Sequence, residues 1–372
     1  MRSLLTAAAI SLAFTLFLTP VFLRLFRKWG WGQVIRTPEN VHNPSHQAKR
    51  GTPTMGGTIF IAGTIVGYLV GAYTGNNPPT ISGWLVLWMM VGLGAVGFID
   101  DYMKVRSQRS LGLSGWRKIV GQILVLVPFG IVSLNFPNQW GQTPASPFIS
   151  VFRDVPALSF MALGLIAGWI LYLIWVSIIG VATSNSVNLG DGLDGLAAGS
   201  GIFVTGAYSL IAFWQFNQAC WGGEALSASA QAACYPTRDP FDLAIVSASF
   251  VGALIGFLWW NAPKAKVFMG DVGSMAIGGV IAAMAILTRT ELLLILVAGV
   301  YVIASGSVIL QRLYFKITRG KRLFLMSPLH HHLEMRGWSE MTIVVRLWII
   351  AGLLAVSAVG LFYVEWLTGV DG

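Results

Sequence analysis

Residues Leu292–Leu310 read LLLILVAGVYVIASGSVIL, nineteen positions with no charge and none of the apolar–polar alternation that marks a membrane β-strand. About 20 such residues, coiled as a helix, cross the hydrocarbon core of a bilayer. Working outward, the chain offers ten runs of this kind, near 4–24, 56–74, 82–99, 118–136, 157–182, 196–216, 241–259, 273–288, 292–311 and 343–365. Of the 372 residues 55% are hydrophobic and 10% charged, and the charges gather in the links between runs. The pattern predicts an all-α polytopic membrane protein: one integral membrane domain over 1–372, a bundle of about ten transmembrane helices in the lipid bilayer. The opening MRSLLTAAAISLAFTLFLTP resembles a signal peptide, but its apolar run leads into Arg24, Arg27 and Lys28 without a small-residue cleavage pattern, so it is read as the first span.

Lysine and arginine set the orientation. Alternate links, with their bordering residues, carry Arg24, Arg27, Lys28, Arg36, Lys49 and Arg50; Lys104, Arg106, Arg109, Arg117 and Lys118; Lys264 and Lys266; and Arg312, Lys316, Arg319, Lys321, Arg322 and Arg336. These are 19 of the 24 basic residues, and the positive-inside rule makes their side cytoplasmic. Both termini are then expected outside the cytoplasm. Topology and anionic headgroups account for the net charge of +9 without nucleic acid. Cys220 and Cys234, 14 residues apart, share a hairpin on the other side, where an oxidising compartment permits a disulfide; two free thiols in a loop are the alternative.

No Asp or Glu falls in the middle of a predicted span, which argues against a mid-membrane proton or ion pathway. The acidic residues gather at the cytoplasmic mouths instead. Asp100 and Asp101 end the third span, Asp191 and Asp194 open the sixth, and Asp271 precedes the eighth. Adjacent carboxylates repel, so the Asp100–Asp101 pair favours a shared proton, a divalent cation or a base such as Lys104. Hard oxygen ligands with few histidines suit Mg²⁺ or Mn²⁺ rather than zinc, and Mg²⁺ commonly bridges phosphate oxygens. A solvated helix end would carry the same letters, so the surrounding motifs decide.

NSVNLGDGLDG, residues 185–195, packs two carboxylates, Asn185, Asn188 and the glycines around Gly192 into the link between two apolar runs. Its glycines let backbone N–H groups approach a ligand, and the helix start that follows suits phosphate; either aspartate is equally able to act only as an N-cap. FMGDVGS, residues 268–274, repeats the design. Asn261 and Phe268 offer an amide and a stacking face for a nucleobase. KRGTPTMGG, residues 49–57, sets Lys49, Arg50 and Thr54 beside a Gly-Gly pair, as a phosphate contact or a membrane-edge anchor. SPLHHHLE, residues 327–334, holds His330, His331 and His332; side chains about 100° apart on a helix cannot readily share one ion, so phosphate or sugar contact is the expected use.

Taken in order, GTPTMGG, DDYMK, NSVNLGDGLDGL, FLWWNAPKAKVFMGDVGS and SPLHHHLEMRGW resemble the phospho-N-acetylmuramoyl-pentapeptide transferases, of the polyprenyl-phosphate N-acetylhexosamine-1-phosphate transferase superfamily. The resemblance covers nearly the whole chain. It implies a Mg²⁺-dependent exchange in the bacterial cytoplasmic membrane: undecaprenyl phosphate attacks the β-phosphate of UDP-N-acetylmuramoyl-pentapeptide, giving lipid I for peptidoglycan synthesis and UMP. It also implies a ten-span bundle whose active site opens to the cytoplasm, and it is compatible with a homodimer. By motif position Asp271 is similar to the magnesium-binding aspartate and Asp100 and Asp101 to the catalytic pair. Lys49, Thr54, Asn185, Asn188, Asp191, Gly192, Asp194, Asn261 and Phe268 resemble the nucleotide and substrate pocket, and His330, His331 and His332 the histidine loop. Lys118 and Gln122 resemble polar positions near the cleft. Three positions depart from the pattern: Gln108 replaces an expected basic residue, Gly190 a Thr and Leu333 a Phe. An N-acetylglucosamine-1-phosphate transferase would share the aspartate-rich turns, but SPLHHHLE and GTPTMGG favour the muramoyl-pentapeptide substrate. A transporter or flippase would explain the spans, but not the scarcity of polar residues deep within them.

Overall fold

The computed structural model describes residues 1–32, 51–107, 112–221 and 233–371; Lys49, Arg50, Arg36, Gln108 and Arg109 lie outside them. The helices are α1 (Arg2–Lys28), α2 (Gly57–Thr74), α3 (Ile81–Ser107), α4 (Gly115–Ser133), α5 (Leu165–Gly190), α6 (Leu196–Asn217), α7 (Pro240–Asn261), α8 (Gly270–Leu287), α9 (Leu294–Val297), α10 (Gly299–Ile317), α11 (Leu329–Met335) and α12 (Glu340–Asp371). Among the described residues ten of them, α1–α8, α10 and α12, are long and apolar enough to cross a membrane. The protein is therefore a polytopic helical bundle.

Small residues set how closely the helices approach. Without a hydrophobic drive between helices in lipid, association relies on close packing and buried hydrogen bonds. Along α1 the buried stripe Ser3, Ala7, Ser11, Thr15, Thr19 repeats every four residues, one helical face. Gly67 and Gly71 of α2 and Gly256 of α7 lie on that stripe and Gly252 of α7 lies on the Ala8 backbone beside it, so a Cβ at any of the four would overlap α1. Ser11 Oγ shares a hydrogen bond with Ser249 Oγ at 2.6 Å, so the seam leaves these hydroxyls paired.

The centre of the bundle is α8. Every residue from Val272 to Leu287 is buried, as expected for a helix that is apolar all round and packed on all sides. A Cβ on Gly57 of α2 would overlap Gly273, one on Gly97 of α3 would overlap the Asp271 carbonyl, and one on Gly278 would overlap the Ser184 backbone of α5. Three neighbouring backbones thus touch α8 directly. Its N-terminus, and Asp271 with it, is held at a fixed place among the mouths of α2, α3 and α5.

Two expected element bounds need correction, and the helical bundle carries one short element the sequence did not reveal: Phe148–Ser150 (β1) pairs antiparallel with Asp154–Ser159 (β2), with Phe148 opposite Ser159 and Ser150 opposite Asp154. Residues 157–164, expected to begin the fifth span, belong to this hairpin and a 3-10 turn at Phe160–Leu163, and α5 instead runs on through NSVNLG to Gly190. Asn185 and Asn188 therefore lie on a helix rather than in a link, and their amides are satisfied inside the bundle. Finally, Leu292–Leu310 is two helices, α9 and α10, separated at Ala298. The Leu292 N–H donates to the Ser150 carbonyl at 3.0 Å, which draws the start of the run onto the hairpin.

Opposite the Asp271 end, polar contacts tie the hairpin down. Buried Glu291 accepts from the Ser150 N–H and Oγ at 2.7 and 2.8 Å, and Arg289 pairs with Asp154 at 2.9 Å. Burial pushes the Glu291 carboxyl up to about 7 and depresses the Arg289 guanidinium. Arg153 reaches Glu365 at 2.7 Å and the carbonyl of Cys234 at 2.6 Å. Cys234 is bonded to Cys220 as a disulfide with Cα atoms 4.9 Å apart, so of the two alternatives the pairing is the one present.

Candidate active site

Three carboxylates converge at the mouth of the bundle. Asp100 and Asp101 come from the last turns of α3 and Asp271 from the first turn of α8, and one oxygen of each lies within 4.8 Å of the others. Asp100 and Asp101 are buried, 2% and 5% exposed. Two lysines enter the same space. Lys104, one turn beyond the pair on α3, lies 2.5 Å from Asp100 Oδ2 and 2.9 Å from Asp271 Oδ2, and Lys118 of α4 lies 2.7 Å from Asp271 Oδ2. Three carboxylates against two ammoniums leave an anionic centre made only of oxygen donors. Hard divalent cations prefer such a set.

Backbone donors fix the carboxylates. The Leu113 N–H donates to Asp100 Oδ1 at 2.7 Å, and the Val272 N–H, in the first turn of α8, donates to Asp101 Oδ2 at 3.1 Å. Asp101 thus satisfies one of the orphan donors at the start of α8, from another helix. Gly270 makes this approach possible: its φ of +72° is left-handed, and a Cβ there would press on the Asp101 carboxylate. Asn188 Nδ2 donates to Asp271 Oδ1 at 2.8 Å and to Ser274 Oγ at 2.9 Å. Both Asp271 oxygens are consequently oriented by side chains of other helices.

The GDGLDG turn follows α5, whose Asn188 holds Asp271. Asp194 is buried; its Oδ2 accepts from the Ala265 N–H at 3.0 Å and its own N–H donates to Glu340 Oε1 at 2.9 Å, so it staples the turn to the α7–α8 link and to α12. Asp191 is half-buried, and burial, with the charges of Asp271, Asp101 and Asp194, raises its carboxyl well above the usual range. Gly192 abuts two histidines, since a Cβ there would overlap His330 Nε2 and approach His331 Nε2 to 3.0 Å.

The rings of His330 and His331 pack edge to face with centroids 4.4 Å apart, while His332 makes its contacts with Phe324 and Leu325. His330 is buried, and burial and neighbouring His331 push its imidazole down to about 3. It is neutral near pH 7, so a contact from it to phosphate or sugar would be a hydrogen bond rather than an ion pair. His331 Nδ1 pairs with Glu334 at 2.6 Å, and His332 Nδ1 accepts from the Leu325 N–H at 3.0 Å.

The motif around Thr54 meets Phe268 through backbone pairing. The Phe268 N–H donates to the Pro53 carbonyl, while the Gly56 and Gly57 N–H groups donate to the carbonyls of Phe268 and Met269, each at 2.9 Å. Thr54 is buried beneath this ladder and the Phe268 ring stays half-buried. Asn261 donates to the Val267 carbonyl at 2.8 Å, and its buried Oδ1 has no partner. Asn185 points away from the cleft, donating to Gln122 Oε1 at 3.2 Å and the Val181 carbonyl at 2.8 Å. Gln122 is itself fully buried below the cleft. Sequence reasoning missed Ser274, which orients Asn188; it also treated Lys104 only as a partner for the aspartate pair, although the spacing Asp100–Lys104 is one helical turn.

Comparison with known proteins adds to this geometry. Residues 83–289 match the family described as Glycosyl transferase family 4, and residues 49–61 match Phospho-N-acetylmuramoyl-pentapeptide-transferase signature 1. The Phospho-N-acetylmuramoyl-pentapeptide-transferase of Clavibacter sepedonicus is 55% identical over 99% of this chain and 100% of its own length. The enzymes of that name from Renibacterium salmoninarum and Kineococcus radiotolerans are each 49% identical, over 98% and 99% of this chain and 99% and 100% of their own lengths.

Proposed function

The chain belongs to the phospho-N-acetylmuramoyl-pentapeptide transferase family, and on that premise we propose that it transfers phospho-N-acetylmuramoyl-pentapeptide from its UDP-linked precursor to undecaprenyl phosphate, releasing UMP. An oxygen of the lipid phosphate attacks the β-phosphorus, the bond from that phosphorus to the oxygen bridging the α-phosphate breaks, and UMP leaves with the electron pair. The product is lipid I.

The observation that carries this reading is the convergence of Asp100, Asp101 and Asp271 with Lys104 and Lys118 at one helix mouth. The all-oxygen donor set fits Mg²⁺, with Mn²⁺ as a substitute; Asp271 would hold the ion, with Asp100 and Asp101 in reach. A bound divalent ion supplies charge neutralisation at the phosphate oxygens. Lys104 and Lys118 are placed to pair with the remaining phosphate charge. Asp100, already tied to Lys104 and the Leu113 N–H, orients the lipid phosphate and accepts any proton it carries. Direct displacement is favoured because Asp100 and Asp101 are both buried and each has one oxygen held by a backbone N–H, which limits how far either carboxylate can turn in line with the leaving group.

Phe268 and Asn261 form the uracil end, the ring as a stacking face and the unpartnered Asn261 Oδ1 as an acceptor for the base N–H. Asp191 and Gly192 border that pocket, with His330 packed behind the turn. The mouth faces the cytoplasm of a bacterial inner membrane, a reading supported by the basic residues on its links and the disulfide at the opposite end.

The test is UMP release from UDP-N-acetylmuramoyl-pentapeptide by purified protein. Release should require both polyprenyl phosphate and a divalent cation. UMP formed stoichiometrically without lipid, with phosphate trapped on Asp100 or Asp101, would overturn direct displacement.

A further inference from the structure

We propose that Gln122, a fully buried glutamine of α4, is a positioning residue that sets the plane of the Asp271 carboxylate by locking α4 to α5. The proposal rests on the reading of Asp271 as the metal ligand.

Asp271 is gripped from three helices: Lys118 of α4 and Lys104 of α3 hold Oδ2 at 2.7 and 2.9 Å on one side, and Asn188 of α5 alone holds Oδ1 at 2.8 Å on the other. A carboxylate held at its two oxygens from two sides takes its orientation from the offset between those sides. One turn deeper, α4 and α5 are joined by Gln122. Its Nε2 donates to Ser184 Oγ at 3.0 Å, and its Oε1 accepts from Asn185 Nδ2 at 3.2 Å. Gln122 follows Lys118 by four residues and Asn188 follows Ser184 by four, so the clamp and the grip are stacked along the helix axes.

The clamp has a defined sense. The Ser184 hydroxyl donates to the Gly180 carbonyl at 2.6 Å, which leaves Ser184 Oγ needing a donor, and the Gln122 amide supplies it. Asn185 presents its N–H to the other end of that amide, and at 0% exposure water cannot replace either bond. The third helix is fixed at the same level, because Gly278 of α8 lies against the Ser184 backbone and stands two turns from Asp271. With its amide committed to Ser184 and Asn185 at 0% exposure, Gln122 acts through Lys118 and Asn188.

The experiment measures Mn²⁺ affinity of the purified protein by electron paramagnetic resonance, without substrates, beside the Mg²⁺ activation constant, the KM for the UDP substrate and the melting temperature. Gln122→Leu should weaken Mn²⁺ binding and raise the Mg²⁺ activation constant about tenfold while KM stays within about twofold. Ser184→Ala should produce a similar change, and the double variant should be no worse than the more affected single one, because both remove one clamp. If Gln122→Leu does not fold, Ser184→Ala, which deletes a single hydroxyl, carries the same expectation alone. A folded variant with parental Mn²⁺ affinity and Mg²⁺ activation overturns the proposal. Parental protein that binds no Mn²⁺ and needs no divalent cation overturns the underlying reading of Asp271 instead, and the proposal with it.

Discussion

Adding one methyl group at Gly97 should disable the site without touching any charged residue. Gly97 lies one turn before Asp100 and Asp101 on α3, where a Cβ would overlap the Asp271 carbonyl and stand 2.6 Å from the Val272 nitrogen. Ordinary contact begins at 3.4 Å, and the atoms in the way are backbone, so no side chain can rotate aside. The Gly97→Ala variant must part α3 from α8 by about 1 Å, at a stability cost of roughly 1–3 kcal/mol for overpacking. Those two helices carry all three carboxylates, and an ~1 Å misplacement of catalytic groups costs about a hundredfold in rate, close to 3 kcal/mol of activation free energy. UMP release should fall by about that factor in protein whose melting temperature shows it folded. Gly94→Ala is the control on the same helix: its Cβ would meet the terminal methyl of Ile61 at 3.0 Å, a side-chain end that can turn, and the next nearest atoms at 3.4 Å, so turnover should stay near parental. A folded Gly97→Ala protein with parental turnover and metal dependence would refute the argument that backbone contact between α3 and α8 holds the centre together.

Phe268→Ala should weaken uridine-nucleotide binding by roughly ten- to a hundredfold, since base stacking is worth about 1–3 kcal/mol; lower thermal stability with unchanged affinity would reduce Phe268 to a membrane-surface anchor. Glu291, with its folded-state value raised to about 7 from 4.5, favours the protonated form, so its contribution to stability is fully present below about pH 4.5 and is lost as pH rises through 7. The loss amounts to about 3 kcal/mol, and melting temperatures from pH 4.5 to 8 should fall more steeply for the parental protein than for Glu291→Gln, parallel curves contradicting this. Gly192→Ala should displace His330 and His331 from the GDGLDG turn and lower kcat/KM at least tenfold, because its Cβ overlaps a buried ring; parental kinetics would show that the histidine loop is free to move.

Length and hydropathy made the ten spans legible, because crossing a bilayer demands a long uncharged helix and little else. The acidic mouths were legible for the same reason, charges at membrane edges being few enough to stand out. Where the reading failed, tertiary contacts outweighed local composition. NSVNLG looked like a link because it is polar, yet Asn188 finds Asp271 and Ser274, and Asn185 finds Gln122, so the helix continues to Gly190. Residues 157–164 looked like membrane helix because they are apolar, but the hairpin is held in place by Glu291 and Arg289, more than a hundred residues away in the chain. Asp194 and Asp191 share one motif and one charge; only the packing against Ala265 and Glu340 reveals that Asp194 is committed to holding the turn. Which histidine is buried was likewise invisible, since HHH carries no phase until Gly192 is seated against His330.

Asp271 is proposed to hold the divalent ion in a centre shared with Asp100 and Asp101. The most direct measurement compares Asp271→Asn with the parental protein for Mn²⁺ binding by electron paramagnetic resonance and for UMP release across a Mg²⁺ titration. Asparagine keeps the shape and an acceptor for Asn188 while removing the charge. Asp271→Asn should lose Mn²⁺ binding, and its turnover should fall at least a hundredfold at every Mg²⁺ concentration, in folded protein. An Asp271→Asn protein that binds Mn²⁺ and turns over substrate with parental Mg²⁺ dependence would contradict it.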